Sequence, residues 1–377
     1  MQKSLKKEDI ERKESSIPNQ IKEMEDELQN TKYNKRTQKA VGLLKAKIAK
    51  LREKQEARSS KGKKGEGFSV RKSGDATVVL LGFPSVGKSS LLNKITNANS
   101  PVGYYAFTTL TVIPGLMNYR HAKIQILDVP GVVRGAAEGT GRGKEVLQIL
   151  RSADLVLILL EVYHPEHYSI LLKEVFDVGI RLDKRKPDVK ITKTSYGGIR
   201  IGKTVRLEMN DETIRSILNE FKLNNADILI REKIGEDDLI DVIEGSKKYV
   251  PKLVVVNKVD LADKAEIESM KQNINPDLFI SAEKNLNTEL VKQKIYEKLL
   301  LMPIYLKEVG KKPDLDEPMI IRKGNTIRNV CERLHQDFIS KFKFARLWGK
   351  SVKFDGQVIR NLDHVLQEHD IMEIHLR

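Results

Sequence analysis

The segment that most constrains the fold spans residues 82–89, which read GFPSVGKS and match the pattern GxxxxGK[ST]. The apolar run 76–81 precedes it and predicts a buried strand, while residues 90–95 predict the first turns of a helix. A glycine-rich loop between a strand and a helix can wrap around phosphate and direct its N–H groups inward. The segment therefore predicts a nucleotide-binding domain of the α/β class.

Two side chains of this loop have predicted roles. Lys88 is expected to reach the β- and γ-phosphates, and the Ser89 hydroxyl is expected to ligate Mg²⁺. Because both ATP and GTP fit such a loop, the choice between them depends on the rest of the chain. The loop residues predicted to contact the nucleotide are Gly82, Pro84, Ser85, Val86, Gly87, Lys88, Ser89 and Ser90.

A threonine-rich segment follows the predicted first helix, where residues 107–111 read FTTLT. A γ-phosphate sensor needs a threonine at this place, because its side chain ligates Mg²⁺ and its N–H meets the γ-phosphate. Such a loop is ordered by GTP and released by GDP. We favour Thr109 for this role and keep Thr108 as the alternative.

The next predicted strand covers residues 123–127 and is followed by DVPG at 128–131. Asp128 at the strand end is expected to hold Mg²⁺ through water, and the Gly131 N–H is expected to hydrogen-bond the γ-phosphate. The predicted metal ligands are Ser89, Thr109 and Asp128. The predicted catalytic residues are Lys88, Thr109 and Gly131.

Position 132 bears on hydrolysis, because small GTPases place a water-positioning glutamine directly after this glycine. Here the residue is Val132, whose side chain cannot orient water. The alternatives are the Thr109 backbone, a residue such as Glu138 or Arg142, a monovalent cation, or a partner. Intrinsic hydrolysis is therefore expected to be slow.

The base is predicted from NKVD at residues 257–260, which follows another apolar run. The Asp260 carboxylate can accept from N1–H and the exocyclic amino group of guanine, an arrangement that adenine cannot satisfy. Asn257 is expected to brace the base edge and the phosphate loop, Lys258 to cover the base face, and the Ala282 N–H to meet the guanine O6. The residues predicted to contact guanine are Asn257, Lys258, Asp260, Ser281 and Ala282.

Charge suggests a second kind of ligand. The chain has 377 residues and a formal net charge of +15, which favours a polyanionic partner. Residues 31–73 hold 15 lysines and arginines against 3 acidic residues. Apolar residues at helical spacing predict two amphipathic helices folded as a hairpin before a basic linker, and we favour RNA contact over an ordinary solvated helix. Membrane-surface binding is the weaker alternative.

Composition also limits the compartment. The single cysteine, Cys331, excludes an internal disulfide, suits a reducing compartment and argues against a disulfide-linked partner. Its helical spacing with apolar residues predicts a core thiol. No apolar run is long enough to span a membrane and the N-terminus has no apolar signal core, so we expect a cytoplasmic protein.

A histidine pair at His164 and His167 has Glu161 and Glu166 nearby. A metal site is conceivable for this spacing. Without a second ligand cluster and in a loop-like context, a role without metal is favoured.

The motifs GFPSVGKS at 82–89, FTTLT at 107–111 and GRG at 141–143 resemble the developmentally regulated GTP-binding (DRG) proteins, a group of Obg-like GTPases. GLLKAK at 42–47 and GEGF at 65–68 are also similar to that family. The resemblance covers nearly the whole chain. It implies an Obg-type P-loop GTPase domain with an inserted α/β subdomain, an N-terminal helical hairpin and a C-terminal β-grasp (TGS) domain.

The residues between the strand at 155–160 and NKVD exceed one βα unit, which independently supports the insertion. After residue 302, the pattern of a strand, one helix over residues 326–338 and two further strands likewise supports a β-grasp domain. The predicted domains are a basic hairpin and linker at 1–73, a GTPase domain at 74–180 and 236–301, an insertion at 181–235 and a TGS domain at 302–377. Residues 237–243 predict a helix with which the GTPase domain resumes.

These observations predict a Mg²⁺-dependent GTPase that binds GTP and GDP and acts as a slow switch on the ribosome or structured RNA. The alternative is a GTP-stabilised scaffold with negligible turnover. The resemblance implies a stabilising protein of the DFRP type as a partner. Ser85 stands where several potassium-activated GTPases carry asparagine, which leaves K⁺ stimulation open for this chain.

Overall fold

The computed structural model describes residues 17–60, 74–96, 113–129 and 149–377, with only the backbone of residues 56–60 and 113. Several residues with predicted roles lie outside this part of the chain: Thr108, Thr109, Gly131, Val132, Glu138 and Arg142. The chain forms two compact units, one within residues 1–67 and 184–249, the other within residues 68–183 and 250–377. Among the described helices, none is both long and apolar enough to cross a bilayer.

Helices and strands are numbered in chain order. The helices are α1 (17–30), α2 (Gln38–Ser60), α3 (Lys88–Ile95), α4 (149–152), α5 (Glu166–Asp177), α6 (Asp211–Glu220), α7 (Glu236–Glu244), α8 (Lys264–Ile274), α9 (Thr288–Lys298), α10 (Ile327–Leu334) and α11 (Gln336–Ser340). The strands are β1 (Ala76–Leu81), β2 (Ile113–Tyr119), β3 (Ala122–Asp128), β4 (Leu155–Glu161), β5 (Ile180–Leu182), β6 (Val189–Lys193), β7 (Ile199–Lys203), β8 (Ala226–Ile230), β9 (Lys248–Val250), β10 (Lys252–Asn257), β11 (Leu278–Phe279), β12 (Leu301–Lys307), β13 (Met319–Arg322), β14 (Phe342–Trp348), β15 (Gln357–Ile359) and β16 (Ile371–Leu376).

The centre of the second unit is a six-stranded sheet with the order β11-β10-β4-β1-β3-β2. All its neighbours pair in parallel except β2, which runs antiparallel to β3. Every residue of β1 is buried: Val78 and Leu80 lie in one apolar cluster, Val79 and Leu81 in the other. A strand buried on both faces reads as a continuous apolar run, which is why residues 76–81 were predictable.

The C-terminal residues form a second sheet with the order β13-β12-β16-β14-β15, packed against α10. Cys331 of α10 is fully buried in this core, as predicted. A single helix over 326–338 was predicted, but the chain breaks it at His335, whose backbone is extended and whose Nδ1 accepts a hydrogen bond from the Asp337 N–H. Arg333 binds Asp75 at 2.5 Å beside β1, which ties this sheet to the central one.

The first unit joins the N-terminal hairpin to the insertion. Ile17 and Ile21 of α1 pack with Ile48 of α2. The other side of α2 contacts α6, because Ala46 is fully buried among residues of α6 and β8. The three-stranded sheet β6-β8-β7 completes this core. The hairpin is thus part of a folded unit with the insertion.

Glycine allows the close approach of α2 to α6. A Cβ atom added at Gly42 would lie 2.9 Å from Thr213 Cγ2 and 3.4 Å from Ile217 Cδ1. Both residues are fully buried in α6. The glycine that opens the GLLKAK segment therefore has a packing role.

Helix α7 lies in a different unit from the one that the sequence suggested. The sequence placed residues 236–244 with the GTPase domain, whereas Leu239 and Ile240 lie in the core of the insertion with Ile214 and Leu218. The contact-defined unit extends to residue 249. The amphipathic pattern identified the helix, but such a pattern does not specify which core the apolar face joins.

Candidate nucleotide-binding site

The described candidate residues lie at or just beyond the carboxyl ends of neighbouring parallel strands. Gly82 follows β1, Asp128 ends β3, Asn257 ends β10, and Ser281 follows β11 closely. Strand β1 pairs with β3 on one side and β4 on the other, with Leu80 opposite Asp128. Open parallel sheets bind ligands at this edge, where the connections diverge to the two sides of a strand. The topology therefore gathers residues that are almost 200 positions apart.

The loop 82–89 has a backbone that side chains would obstruct. A Cβ atom at Gly82 would lie 2.6 Å from the Leu159 carbonyl oxygen, and one at Gly87 would lie 2.4 Å from Asn257 Nδ2. Gly87 also has φ 94°, in the left-handed region, as the residue that precedes α3. Ser85 adopts φ 66°, which costs a serine some strain. The loop is thus tightly curved and held against β4 and β10.

Lys88 is folded back onto its own loop. Its Nζ donates to the carbonyl oxygens of Gly82 and Phe83, each at 3.0 Å. Burial lowers the pKa of Lys88 from the ordinary lysine value, and the nearby Asp128 carboxylate acts in the opposite direction. The position holds a partly desolvated cation where the sequence predicts phosphate.

Asp128 is the most strongly buried acid of this edge, with 4% of its surface exposed. Its Oδ1 has no hydrogen-bond partner within the described ranges. Burial raises the pKa of this carboxyl, and Lys88 offsets part of the effect. A buried, unpartnered carboxylate oxygen fits a Mg²⁺ ion or its water, because hard cations take oxygen ligands. Ser89 lies on the first turn of α3 and is exposed, so its hydroxyl is available to the same ion.

Asn257 links three parts of the site. Its Nδ2 donates to the Val86 carbonyl at 2.9 Å, and its Oδ1 accepts from the Ala282 N–H at 2.9 Å. The residue is 3% exposed, so both hydrogen bonds are made away from bulk water. One amide thus fixes the spacing between the phosphate loop and the segment after β11.

Lys258 and Glu161 form an ion pair that the motifs alone did not reveal. Lys258 Nζ lies 2.7 Å from Glu161 Oε2, and Asn257 stands opposite Glu161 in the β10–β4 register. Lys258 also has φ 65°, which turns the chain away from β10. The pair orients the lysine stem that the sequence assigns to the base face. A polar residue at the end of the apolar run 155–160 was the available signal for Glu161.

Asp260 lies at the outer end of the site with its side chain 9% exposed. A hydrogen bond from Ser281 holds the pKa of this carboxyl below its usual range, and Lys284 acts in the same direction from 3.5 Å. Ser281 is 1% exposed, and its N–H and C=O pair with Leu286 across a short loop. Asp260 is therefore held ionised as a hydrogen-bond acceptor.

The predicted site residues that the structure describes thus lie together at one edge of the sheet. Thr109 and Gly131 lie outside the described residues, so the predicted γ-phosphate contacts stay predictions. Pro84, Ser85, Ser89 and Ser90 are exposed at this edge. Residues that sequence reasoning missed are Glu161 and Lys284, because each acts through a contact with a residue distant in sequence.

Fold and site together define a P-loop GTPase with an appended TGS domain. Three family profiles match consecutive parts of the chain. They are described as "50S ribosome-binding GTPase" at residues 77–193, "C-terminal region of MMR_HSR1 domain" at 196–301 and "TGS domain" at 302–376.

Relatives that match over nearly their whole length identify the family within this class of GTPases. An uncharacterized GTP-binding protein of Methanocaldococcus jannaschii is 51% identical over 95% of this chain and 92% of its own. Developmentally-regulated GTP-binding protein 2 of Homo sapiens is 42% identical over 95% and 99%, and developmentally-regulated G-protein 3 of Arabidopsis thaliana is 43% identical over 96% and 99%. The chain belongs to the family of developmentally regulated GTP-binding proteins. The predicted family and fold class are confirmed, and the protein is a GTP-binding protein.

Proposed function

We propose that the protein hydrolyses GTP to GDP and phosphate as a slow, Mg²⁺-dependent switch. The observation that carries the proposal is the buried Asp128 oxygen without a partner beside the desolvated Lys88. Burying a charged group without a partner costs stability, and Mg²⁺ and phosphate would offset that cost. The pair is therefore better suited to a nucleotide complex than to the protein alone.

Each of the described site residues would have its own role in nucleotide binding. Lys88 would leave the Gly82 and Phe83 carbonyls for the phosphates, and the N–H groups at the start of α3 would face the same charge. Asp128 and Ser89 would hold Mg²⁺, which supplies charge neutralisation on the phosphate oxygens when bound. Asn257 would keep the loop at a fixed distance from the segment that reads the base.

Slow turnover is proposed because position 132 is valine. Thr109 and Gly131 would sense the γ-phosphate, and the loops about 98–111 and 128–143 would change order between GTP and GDP. Water positioning then needs a backbone group, a mobile side chain, a monovalent cation or a partner. Comparing single-turnover hydrolysis in K⁺ and Na⁺ buffers tests the cation: equal rates would remove K⁺ from the proposal.

Base recognition gives the sharpest test of the site. In Asp260→Asn the acceptor becomes an amide whose N–H₂ can donate to the C2 carbonyl of xanthine. GDP affinity should fall by about 100-fold or more, while xanthosine diphosphate affinity should rise. Asp263→Asn, at the capping position of α8, serves as the matched control. Unchanged GDP affinity in Asp260→Asn would contradict the assignment of the base site.

The output proposed for the switch is docking on the ribosome or structured RNA. Much of the basic charge of α2 faces the insertion: Lys45 and Lys50 pair with Asp237 and Glu220 at 2.8 and 3.1 Å. By contrast, Lys32, Lys35 and Arg36 are exposed on the turn between α1 and α2, and no ion pair involves them in the described ranges. We propose this turn as an RNA phosphate contact of the hairpin.

Cosedimentation with ribosomes tests this docking. A triple Lys32→Gln, Lys35→Gln, Arg36→Gln variant should pellet less at low salt, and the difference should shrink at high salt because phosphate contacts are screened. Pelleting should also be stronger with a non-hydrolysable GTP analogue than with GDP. The control replaces the exposed Lys271 of α8 and the half-buried Lys294 of α9 with glutamine. Equal pelleting of all proteins in all nucleotide states would overturn the docking proposal.

A second candidate function follows from Val132. With no side chain to orient water, GTP would stabilise a scaffold that binds a protein of the DFRP type, and turnover would be negligible. GTP hydrolysis measured with and without ribosomes separates the two functions. A rate that rises on adding ribosomes favours the switch, whereas no turnover in either condition favours the scaffold.

A further inference from the structure

A cluster of metal-ligating side chains lies next to the nucleotide site. His164, Glu166 and His167, here called the His164 cluster, each place one ligand atom within 4.8 Å of the others. His164 Nδ1 is 2.8 Å from Glu166 Oε1. The three residues lie on the turn after β4 and the first turn of α5. The turn thus brings two imidazoles and a carboxylate close enough together to share one ion.

The donor set selects a class of metal. Two imidazole nitrogens and one carboxylate oxygen suit borderline divalent ions such as Zn²⁺, whereas Mg²⁺ prefers oxygen ligands alone. Three protein ligands leave further positions for water. This chemistry separates the His164 cluster from the Asp128 site described above.

A second observation comes from His167. Its Nδ1 is a buried atom without a hydrogen-bond partner in the described part of the chain. Its ring stacks on His164, with centroids 4.8 Å apart. An imidazole usually uses its second nitrogen to fix its tautomer and orientation. His167 is instead held by ring stacking, and its Nδ1 lacks a hydrogen-bond partner among the described residues.

The cluster touches the nucleotide site in two places. The His167 ring stacks on Phe83 of the phosphate loop, with centroids 3.6 Å apart and planes 9° from parallel. The Phe83 carbonyl is one of the two oxygens that hold Lys88. On the other side, Glu161 lies 3.7 Å from His164 Nε2 and 2.7 Å from Lys258 Nζ. Fixing the histidines would therefore restrain both the phosphate loop and the base-site lysine.

We propose that His164, Glu166 and His167 bind a divalent transition metal of the Zn²⁺ class, and that the bound metal raises guanine-nucleotide affinity by holding His167 against Phe83. The metal would act as a positioning ion outside the reaction. This site is distinct in ligands and in place from the proposed Mg²⁺ site.

Titrating Co²⁺ into the full chain tests the site without using nucleotide. Co²⁺ replaces Zn²⁺, and sites with few nitrogen and oxygen ligands absorb visible light more strongly than six-coordinate all-oxygen sites. Excess Mg²⁺ is present throughout to occupy oxygen sites. We expect one strongly absorbing ion per chain. Zn²⁺ should displace it.

His164→Ala and Glu166→Gln should each weaken the Co²⁺ signal by about tenfold or more in affinity. Both side chains are exposed, so the fold should tolerate the changes. The matched control is His335→Ala, which removes an exposed histidine 3.9 Å from Asp337 in the C-terminal domain. Absence of a strong band in the unmodified chain, or an equal band in His164→Ala, would overturn the metal site.

Fluorescence titration with a labelled GDP analogue tests the coupling. With Mg²⁺ in both arms, Zn²⁺ should tighten GDP binding by about fivefold or more in the unmodified chain and not in His164→Ala. By reciprocity, GDP should tighten Co²⁺ binding by the same factor. Equal GDP affinity with and without Zn²⁺ would overturn the coupling. If GDP failed to bind in either arm, the proposed nucleotide site would be wrong while the Co²⁺ result still stood.

Discussion

Helix α2 and the carboxyl edge of the central sheet both carry charge, but they use it differently. On α2, Lys39 and Lys50 pair with carboxylates of the insertion, and these pairs keep substantial exposure to solvent. At the sheet edge, Lys88 donates to two backbone carbonyls, and Asp128 keeps a buried oxygen without a partner in the described residues. The lysines of α2 are thus paired with carboxylates, whereas the sheet edge keeps a buried carboxylate oxygen unsatisfied.

The energies of the two arrangements differ in sign. An exposed ion pair contributes about 0.2–1 kcal/mol to folding. A buried polar group without a partner costs about 1–3 kcal/mol, more when charged. The paired charges of α2 therefore help to dock the hairpin, whereas the unsatisfied charges at the sheet edge indicate ligands. The density of charge along the sequence does not make this distinction.

The largest expected effect is at Lys88. In Lys88→Ala, GTP and GDP affinity should fall by about 100-fold or more, because the bound phosphates would lose their proposed lysine partner, and removing one partner of a buried charge pair costs about 2–5 kcal/mol. Isothermal calorimetry measures the change. Lys39→Ala, which removes an exposed lysine of α2, is the control and should leave affinity unchanged. Similar nucleotide affinities in Lys88→Ala and Lys39→Ala would contradict the distinction drawn here between the sheet edge and α2.

Overpacking at Gly42 should have the next largest effect. In Gly42→Val, the added side chain would meet Thr213 and Ile217 of α6, and the free energy of unfolding should fall by about 1–3 kcal/mol. Denaturant unfolding followed by circular dichroism measures it. The control is Gly235→Ala, which has an ordinary φ of −97° and where an added Cβ would come no nearer than 3.8 Å to another residue, so it should lose less stability. A larger loss in the control would contradict the packing role of Gly42.

At Asp128, substitution should stabilise the protein without ligand. Because burial raises the pKa of this carboxyl in the folded state, the folded protein binds the proton more tightly and loses stability as pH rises through that pKa. Asp128→Asn removes this loss, so its advantage in unfolding free energy should be smallest at acidic pH and should grow as the pH rises from the ordinary aspartate pKa through the raised pKa of the folded state. An advantage that did not change with pH would be inconsistent with a costly buried charge.

The smallest effect belongs to the paired lysines. Lys39 pairs with Glu212, and the two side chains are 49% and 68% exposed. Lys39→Gln should therefore change the unfolding free energy by about 1 kcal/mol or less and leave nucleotide affinity unaffected. Thermal unfolding and GDP titration of the same sample check both parts. A large loss of GDP affinity would show that α2 influences the nucleotide site.

How far the sequence predicts the site depends on the range of each signal. Gly82, Lys88 and Asp260 were predicted as site residues because each belongs to a short motif at the end of an apolar strand. Those strands are buried on both faces and leave little ambiguity.

Contacts between distant segments were not predictable in this way. Glu161 pairs with Lys258, and His167 stacks on Phe83, across 97 and 84 positions respectively. Tertiary packing likewise determines that α7 joins the insertion and that α2 docks on α6. Local periodicity identified both helices without specifying their neighbours.

The most direct test measures GDP affinity with and without Mg²⁺ for the unmodified chain and for Asp128→Asn. The unmodified chain should bind GDP more tightly when Mg²⁺ is present, because the buried Asp128 oxygen would then have its partner. The Asn variant should bind GDP with nearly the same affinity in both conditions. A variant that kept the full Mg²⁺ dependence would contradict the assignment of this oxygen to the metal.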